Sequence, residues 1–292
     1  MANCSIPAKE AECESTTKPN WLELPTDITT NILQRLGTTE VVTIACHVCP
    51  LWWNICKDPL MWHTIRIPFL RNTSYSRDDL EKICRFAIKR SCGRLEDIDI
   101  ECFATDDLLE CIADNANIRC LRLAKCLNIS NKVFCEAVGK LPMLEELDIS
   151  YSGLSTSLDV IGRSCPLLKS FKFARLRLKS YSSNGDSFII AETMQGLRHL
   201  DIEGSKVYND GLLAILDACP LLESLNLRGC SNLDITESLQ QRCVEQIKSV
   251  QWPTGFEDED YSSEDYSSDD YDYFYVYSDE DGYVDPDSYG LY

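Results

Sequence analysis

The sequence has few of the residues that mark several protein classes. Only 13 glycines and 11 prolines occur in 292 residues, which excludes a collagen-like or wholly disordered chain. The longest apolar stretch, residues 41–56, is interrupted by Thr43, His47, Pro50 and Asn54, so no transmembrane helix is expected. The first twenty residues have neither a basic start nor an apolar core, so no secretory signal is expected either. The sequence therefore predicts no membrane partner.

Motifs of common enzyme classes are also missing. The three histidines stand in unrelated settings, and there is no Walker loop, nucleophile elbow, zinc-protease helix or Rossmann fingerprint. We therefore predict no catalytic residue and no cofactor. A stripe of basic residues with interleaved aromatic residues is absent as well, so no nucleic-acid partner is predicted.

Negative charge is concentrated at one end of the chain. Residues 253–292 hold 14 acidic and no basic residues, and they carry −14 of the net charge of −19. High net charge with few aliphatic residues predicts a disordered acidic tail. The tail is either a solubilising segment or a regulator that contacts a basic stretch formed by Lys169, Lys172, Arg175, Arg177 and Lys179. Residues 1–20 are also predicted to be disordered.

The sixteen cysteines indicate the cellular compartment in which the protein is expected. In a chain without a secretory signal they are expected to be reduced thiols, and most occupy apolar positions of the repeat described next. Free cysteine behaves as a small buried hydrophobic residue. We therefore expect the protein in the nucleus, the cytoplasm or both.

A short pattern, apolar-x-x-apolar-x-apolar, recurs through the middle of the chain. Successive copies are separated by 23, 26, 24, 29, 25 and 25 positions, which is the period of leucine-rich repeats. The six clear copies and a degenerate seventh start at Leu95, Ile118, Leu144, Leu168, Leu197, Leu222 and Ile247.

Each copy is predicted to form one strand, and helical patterns such as residues 108–113 and 212–216 run between the copies. Several of these helices end at a Cys-Pro pair, as at Pro166 and Pro220. One strand and one helix cannot bury their own apolar faces. Stacking of the copies is therefore expected to give a curved solenoid with a continuous core.

Side chains that alternate with the buried ones should line the concave face of that solenoid. This face is either a solvated sheet or a charged surface that recognises a target protein. The candidate target-binding residues are Asp97, Asp99, Arg122, Glu146, Asp148, Lys172, His199, Asp201, Asn226 and Arg228.

A different pattern precedes the repeats. Apolar residues between positions 28 and 36 share one helical face, with Pro25 suited to the start of the helix and Gly37 to its end. A second helix is predicted over residues 41–48, halted before Pro50, and a third short helix carries Trp52 and Trp53. Three helices in about 45 residues bury too little surface to be stable alone.

The residues of this segment resemble a known motif. The resemblance rests on Leu24-Pro25-x-x-Ile28-x-x-x-Ile32-Leu33-x-x-Leu36, Val48-Cys49-x-x-Trp52 and Asp58-Pro59-x-x-Trp62-x-x-Ile65, which are similar to the F-box motif. An F-box followed by leucine-rich repeats resembles the F-box/LRR-repeat proteins, and plant members most closely. Pro50 departs from the motif, because the family often has a polar or basic residue there.

The resemblance implies an α/β fold with an order of parts. These are an F-box of three helices at 21–66, a linker and bridging helix at 67–94, a leucine-rich-repeat solenoid at 95–252 and the acidic tail at 253–292. It implies a non-catalytic substrate-recognition subunit of an SCF ubiquitin ligase, which binds a Skp-type adaptor, and through it a cullin-RING ligase, together with an unknown protein substrate. The adaptor-binding residues would be Leu24, Pro25, Ile28, Ile32, Leu33, Val48, Cys49, Trp52 and Trp62.

Two other functions remain open at this point. The chain could be an F-box scaffold that binds the adaptor and delivers nothing to the ligase. It could also be a zinc- or thiol-dependent protein, with Cys46, Cys49, Cys56 and His63 as a metal set. We favour burial of these residues among the apolar helices, and so predict no metal site.

Overall fold

The computed structural model describes residues 23–69, 75–152, 154, 158–174 and 185–253. The predicted disordered residues 1–20, the acidic tail from residue 254 onward, and Arg175, Arg177 and Lys179 lie outside the described residues. Within the described ranges, no helix is long and apolar enough to cross a membrane.

Three short helices begin the fold. They are α1 (Thr26–Leu33), α2 (Thr38–Thr43) and α3 (Pro50–Ile55), with one turn of 3-10 helix at Ala45–His47 between the last two. The prediction that the second helix continues to residue 48 is wrong, because it ends at Thr43. Pro50 occupies the first turn of α3, where its missing N–H group is not needed for hydrogen bonding.

In the described ranges, eight parallel strands follow in a single sheet, and each strand pairs with the next one along the chain. Helices α4 to α10 connect consecutive strands, as the repeat pattern predicts. The strands are β1 (Thr64–Ile67), β2 (Asp97–Glu101), β3 (Cys120–Ala124), β4 (Glu146–Asp148), β5 (Ser170–Lys172), β6 (His199–Asp201), β7 (Ser224–Asn226) and β8 (Ser249–Gln251). The helices are α4 (Arg77–Ser91), α5 (Asp106–Ala113), α6 (Asn131–Val138), α7 (Leu158–Ser164), α8 (Gly185–Thr193), α9 (Asn209–Ala218) and α10 (Glu237–Gln246). The predicted α/β solenoid is confirmed.

The apolar core runs continuously through the repeats. One apolar residue from the middle of each strand pairs in register with its counterpart on the next strand. These residues are Ile65, Ile98, Leu121, Leu147, Phe171, Leu200, Leu225 and Val250. The first seven are almost completely buried, whereas Val250 on the last strand is half-buried. That difference is expected because β8 is the edge strand of the sheet in the described part of the chain.

Buried cysteines connect neighbouring repeats. The thiol of Cys126 lies 3.8 Å from the carbonyl oxygen of Ile100, and that of Cys230 lies 3.3 Å from the carbonyl oxygen of Ile202, each one repeat earlier. Burial raises the pKa of both thiols to about 12, so they remain protonated at neutral pH. They act as small core residues with a weak donor group.

The first strand lies where the sequence was interpreted as the end of the F-box and the start of a linker. Trp62, Ile65 and Ile67 carry the repeat pattern and are buried, and β1 pairs with β2 in the register of the later repeats. The predicted boundary between residues 66 and 67 therefore divides a strand. The expected bridging helix is present as α4.

Aromatic and cationic side chains join the first helices to α4. The guanidinium carbon of Arg90 lies 5.2 Å from the ring centre of Trp53 and 5.0 Å from that of Phe86. Phe86 also makes an edge contact with Trp62, at 6.1 Å between ring centres. Cation–π and aromatic contacts of this kind add to burial in holding the two parts together.

We predict that Leu200→Asp unfolds several neighbouring repeats together. An aspartate at this position would be buried beside β5 and β7 without a partner, which costs at least about 3 kcal/mol of unfolding free energy. Thermal unfolding followed by circular dichroism measures the loss. Leu221→Asp is the matched control, since Leu221 is 51% exposed and the change is expected to cost less than about 0.5 kcal/mol. Equal stability of the two variants would contradict the register.

Candidate functional site

The nine predicted adaptor-binding residues divide into three groups by burial. Pro25, Ile28 and Val48 are exposed, and Leu24, Ile32, Cys49 and Trp52 are half-buried. Leu33 and Trp62 are buried in the core, so they can only support the surface that the others form. The indole N–H of Trp62 donates to the carbonyl oxygen of Cys56 at 2.9 Å, which fixes the end of α3.

Sequence reasoning missed one prominent member of this surface. Ile44 is 62% exposed, and Val48 is 54% exposed. The segment from residue 41 to 48 has six apolar residues, counting Cys46, of which Val41, Ala45 and Cys46 are buried. That number is more than one buried helical face accommodates, and this excess was the available signal. Several exposed apolar side chains within one short segment are typical of protein-binding surfaces.

All ten predicted target-binding residues lie on or directly beside the strands, on side-chain positions that alternate with the buried core. We call the side of the sheet that faces away from the core the open sheet face. Two rows cross it in register. The first row is Thr64, Asp97, Cys120, Glu146, Ser170, His199, Ser224 and Ser249. The second row is Arg66, Asp99, Arg122, Asp148, Lys172, Asp201, Asn226 and Gln251.

Charges over strands β1 to β4 of this face are paired with one another. Arg122 is the centre of the network, with guanidinium nitrogens 2.9 Å from a carboxylate oxygen of Glu146, 3.4 Å from Asp97 and 3.9 Å from Asp99. Arg66 also pairs with Asp97, at 2.6 Å. Since Asp97 and Asp99 lie on β2 and Glu146 lies on β4, on either side of Arg122 on β3, these ion pairs align neighbouring strands.

Strands β5 to β8 carry a shallow groove of about 260 Å³ on the same face. Its polar lining consists of Ser170, Lys172, His199, Asp201, Ser224, Asn226, Ser249 and Gln251. In the groove, Nδ1 of His199 lies 2.9 Å from Oγ of Ser224, and the Asn226 amide donates to Asp201 at 3.0 Å. The groove therefore combines one cation and one carboxylate with uncharged hydrogen-bonding groups.

A further charged row borders the strands where they begin. Glu145 bridges Arg119 and Lys169, and Glu223 bridges Arg198 and Lys248. Salt-bridge hydrogen bonds from Lys169 and then Arg119 lower the pKa of Glu145. The members of these triads are 24 to 26 residues apart, so no local sequence pattern indicates that they meet.

The fold and the site described above agree with the proteins to which this chain is similar. An F-box-like family model matches residues 21–68. F-box protein SKIP19 of Arabidopsis thaliana is 44% identical over 87% of this chain and 83% of that protein. F-box/LRR-repeat protein 21 of the same species is 37% identical over 83% of this chain and 84% of that protein. This chain belongs to the F-box/LRR-repeat family.

The predicted family is thereby confirmed. Another relative, F-box/LRR-repeat protein 23 of Arabidopsis thaliana, is 43% identical over 82% of this chain but over only 54% of its own length. This F-box/LRR-repeat chain therefore spans about half of that relative.

The alternative zinc set of the F-box segment is not assembled. Within the part of the chain that the structure describes, no three His, Cys, Asp or Glu side chains are placed to hold a metal ion. Nδ1 of His63 contacts the carbonyl oxygen of Leu60 at 2.8 Å. Cys46 and Cys56 are buried, and burial raises the pKa of Cys56 to about 12, with its hydrogen bond to Cys46 adding to the effect. A thiol in this state is a poor nucleophile and metal ligand.

In this F-box/LRR-repeat protein, the surroundings of Asp99 disfavour its charged form. Burial raises its pKa; Arg122 opposes that effect, and Asp97 and Asp148 add to it. The folded state therefore binds a proton at Asp99 more readily than the unfolded state does. The charge of Asp99 destabilises the fold above its usual pKa range, and the penalty disappears as pH falls below that range.

We predict that Asp99→Asn raises the melting temperature at neutral pH. The gain is expected to be less than about 1 kcal/mol, because solvent screens this half-exposed group. It should vanish at acidic pH. Glu145→Gln is a control with the opposite expectation. The pKa of the Glu145 carboxyl is lowered, so its charge stabilises the fold at neutral pH, and this contribution is lost as pH falls. Thermal melts across pH measure both, and a gain for Asp99→Asn that is equal at acidic and neutral pH would contradict the assignment.

Proposed function

We propose that this chain is the substrate-recognition subunit of an SCF ubiquitin ligase. Its F-box would bind the Skp-type adaptor, and its open sheet face would bind the target protein for ubiquitination. In this role the chain itself performs no catalysis, since it raises the effective concentration of the target beside the ligase.

The observation that carries the proposal is a set of exposed apolar side chains on α1 and beside the 3-10 turn at Ala45–His47. Ile28 on α1 is 44% exposed, and Ile44 and Val48, which flank that turn, are 62% and 54% exposed, whereas other apolar residues of the same segment are packed in the core. Leaving three aliphatic side chains of this size in water is unfavourable, at roughly 25 cal/mol per Å² of apolar area. A partner that covers them recovers that free energy, and F-box family membership supports the Skp-type adaptor as that partner.

Attachment of the F-box to the repeats supports a receptor role. The backbone N–H of Arg66 on β1 donates to Oγ1 of Thr38 on α2 at 3.0 Å, and Trp53 on α3 contacts Arg90 on α4. Contacts on both sides of the joint hold the adaptor-binding helices in a fixed position on the repeats. A bound target would then keep a defined position relative to the ligase.

The proposed place of action is the nucleus, the cytoplasm or both. All fourteen cysteines among the described residues are free thiols, which supports a reducing compartment.

We predict that the double change Ile28→Asp and Val48→Asp removes adaptor binding. Both side chains are exposed, so the fold should survive, whereas two carboxylates in an apolar interface should weaken binding at least about a hundredfold. Calorimetric titration with a recombinant Skp-type adaptor measures the effect. The matched control is Leu213→Asp on α9, which is 41% exposed and belongs to the repeats.

Adaptor affinity that is unchanged in the double variant would refute the F-box surface. Adaptor binding by the wild type with no ubiquitination of any bound protein in a reconstituted ligase would favour the scaffold function instead.

A further inference from the structure

The two halves of the open sheet face differ in how far their polar groups are already paired within the protein. Over β1 to β4, ion pairs with Arg122 and Arg66 occupy Asp97 and Glu146. Over β6 to β8, the equivalent positions hold one imidazole, two hydroxyl groups and two amides, with Asp201 as the one carboxylate. The charged half is therefore satisfied within the fold, and the uncharged half faces solvent.

Several groups in the groove keep unused hydrogen-bonding capacity. Among the described residues, the side chains of Ser170, Ser249 and Gln251 have no hydrogen-bond partner, and Ser249 and Gln251 are exposed. His199 uses only Nδ1, toward Ser224, so its Nε2 remains available. Exposed donors and acceptors of this kind bond to water in solution, and a ligand with matching groups can replace that water.

Charges in the groove are already compensated. Nζ of Lys172 lies 3.9 Å from both Asp148 and Asp201. The Asp201 carboxylate also accepts hydrogen bonds from the Asn226 amide at 3.0 Å and from the backbone N–H of Glu203 at 3.2 Å. A charged ligand group placed here would lose hydration and find no free countercharge, which makes its binding unfavourable.

The dimensions of the groove favour a peptide. Adjacent strands are about 4.8 Å apart, so four strands present a row about 14 Å long. An extended chain covers that length with about four or five residues. The groove is smaller and shallower than the cavities that enclose small-molecule ligands, which are roughly 300–1,000 Å³.

We propose that the groove over β5 to β8 binds an extended, uncharged polar segment of the target, about four or five residues long. This inference rests on the proposed function and specifies its target class. Ser, Thr, Asn and Gln side chains, together with the peptide groups of the segment, would bond to His199, Ser249 and Gln251. Recognition would depend little on salt, since no net charge is neutralised.

A library of random twelve-residue peptides, displayed on phage and selected on the full-length protein, tests this proposal. We expect the enriched peptides to share a run of about four uncharged polar residues without Lys, Arg, Asp or Glu. A synthetic peptide carrying that run should change its Kd by less than about twofold between low and physiological ionic strength.

Two variants test whether the peptide binds in the groove. Ser224→Arg and, independently, Ser249→Arg should weaken binding of the synthetic peptide at least about tenfold, because each puts a charge and a long side chain into the row. Glu136→Arg, an exposed change on α6, is the matched control and should leave the Kd unchanged. Ser249 is exposed, so its variant keeps the test valid if Ser224→Arg fails to fold.

Enrichment of acidic or basic peptides would overturn the proposal, and so would absence of enrichment or full binding by both folded variants. Adaptor titration of the same proteins separates the two proposals. Loss of peptide selection with intact adaptor binding would reject the groove alone, whereas absent adaptor binding by the wild type would reject the ligase function.

Discussion

A repeated backbone hydrogen-bond pattern positions every other feature of this protein. At the start of each strand from β2 to β8, two consecutive N–H groups donate to a single carbonyl oxygen of the preceding repeat. Arg119 and Cys120 both donate to Glu96, for example, and Arg198 and His199 both donate to Lys169. Because this pattern forces the strands into the same register, the core residues stack on one side and the polar rows align on the other. The alignment brings charges from separate repeats within bonding distance.

The repeats could be predicted because their information is local. Six copies of a short apolar pattern, such as the one that starts at Leu144, each specify one strand and its buried side, and the period supplies the stacking. The first strand was missed although residues 62–67 carry the same pattern. Trp62 also fits the F-box motif, and it lies 33 positions before Leu95, farther than any other spacing. Trp62 therefore belongs both to the F-box motif and to the first repeat, and only the folded structure shows this double role.

The site could be predicted only in part, because the fate of a charge depends on distant residues. Alternation along each strand correctly placed nine of the ten candidate target-binding residues on one face of the sheet, whereas Arg228 lies in the turn after β7. It could not show that Arg122 is surrounded by Asp97 and Glu146, which are 25 and 24 residues away in sequence. Nor could a helical pattern show that the backbone leaves the helix before Ile44 and turns its side chain toward solvent. Cross-strand register and local backbone geometry decided these points.

Because β1 belongs both to the F-box segment and to the sheet, the repeats set the distance between the F-box and each later strand. The strand that closes the F-box is also the first of the series, so any later strand lies a fixed number of steps from the adaptor-binding helices. At about 4.8 Å per step, β5 lies about 19 Å and β8 about 34 Å from β1 along the sheet. Gain or loss of one repeat between them would move a bound protein by one step without altering either surface. Length variation among such proteins can therefore adjust reach separately from recognition.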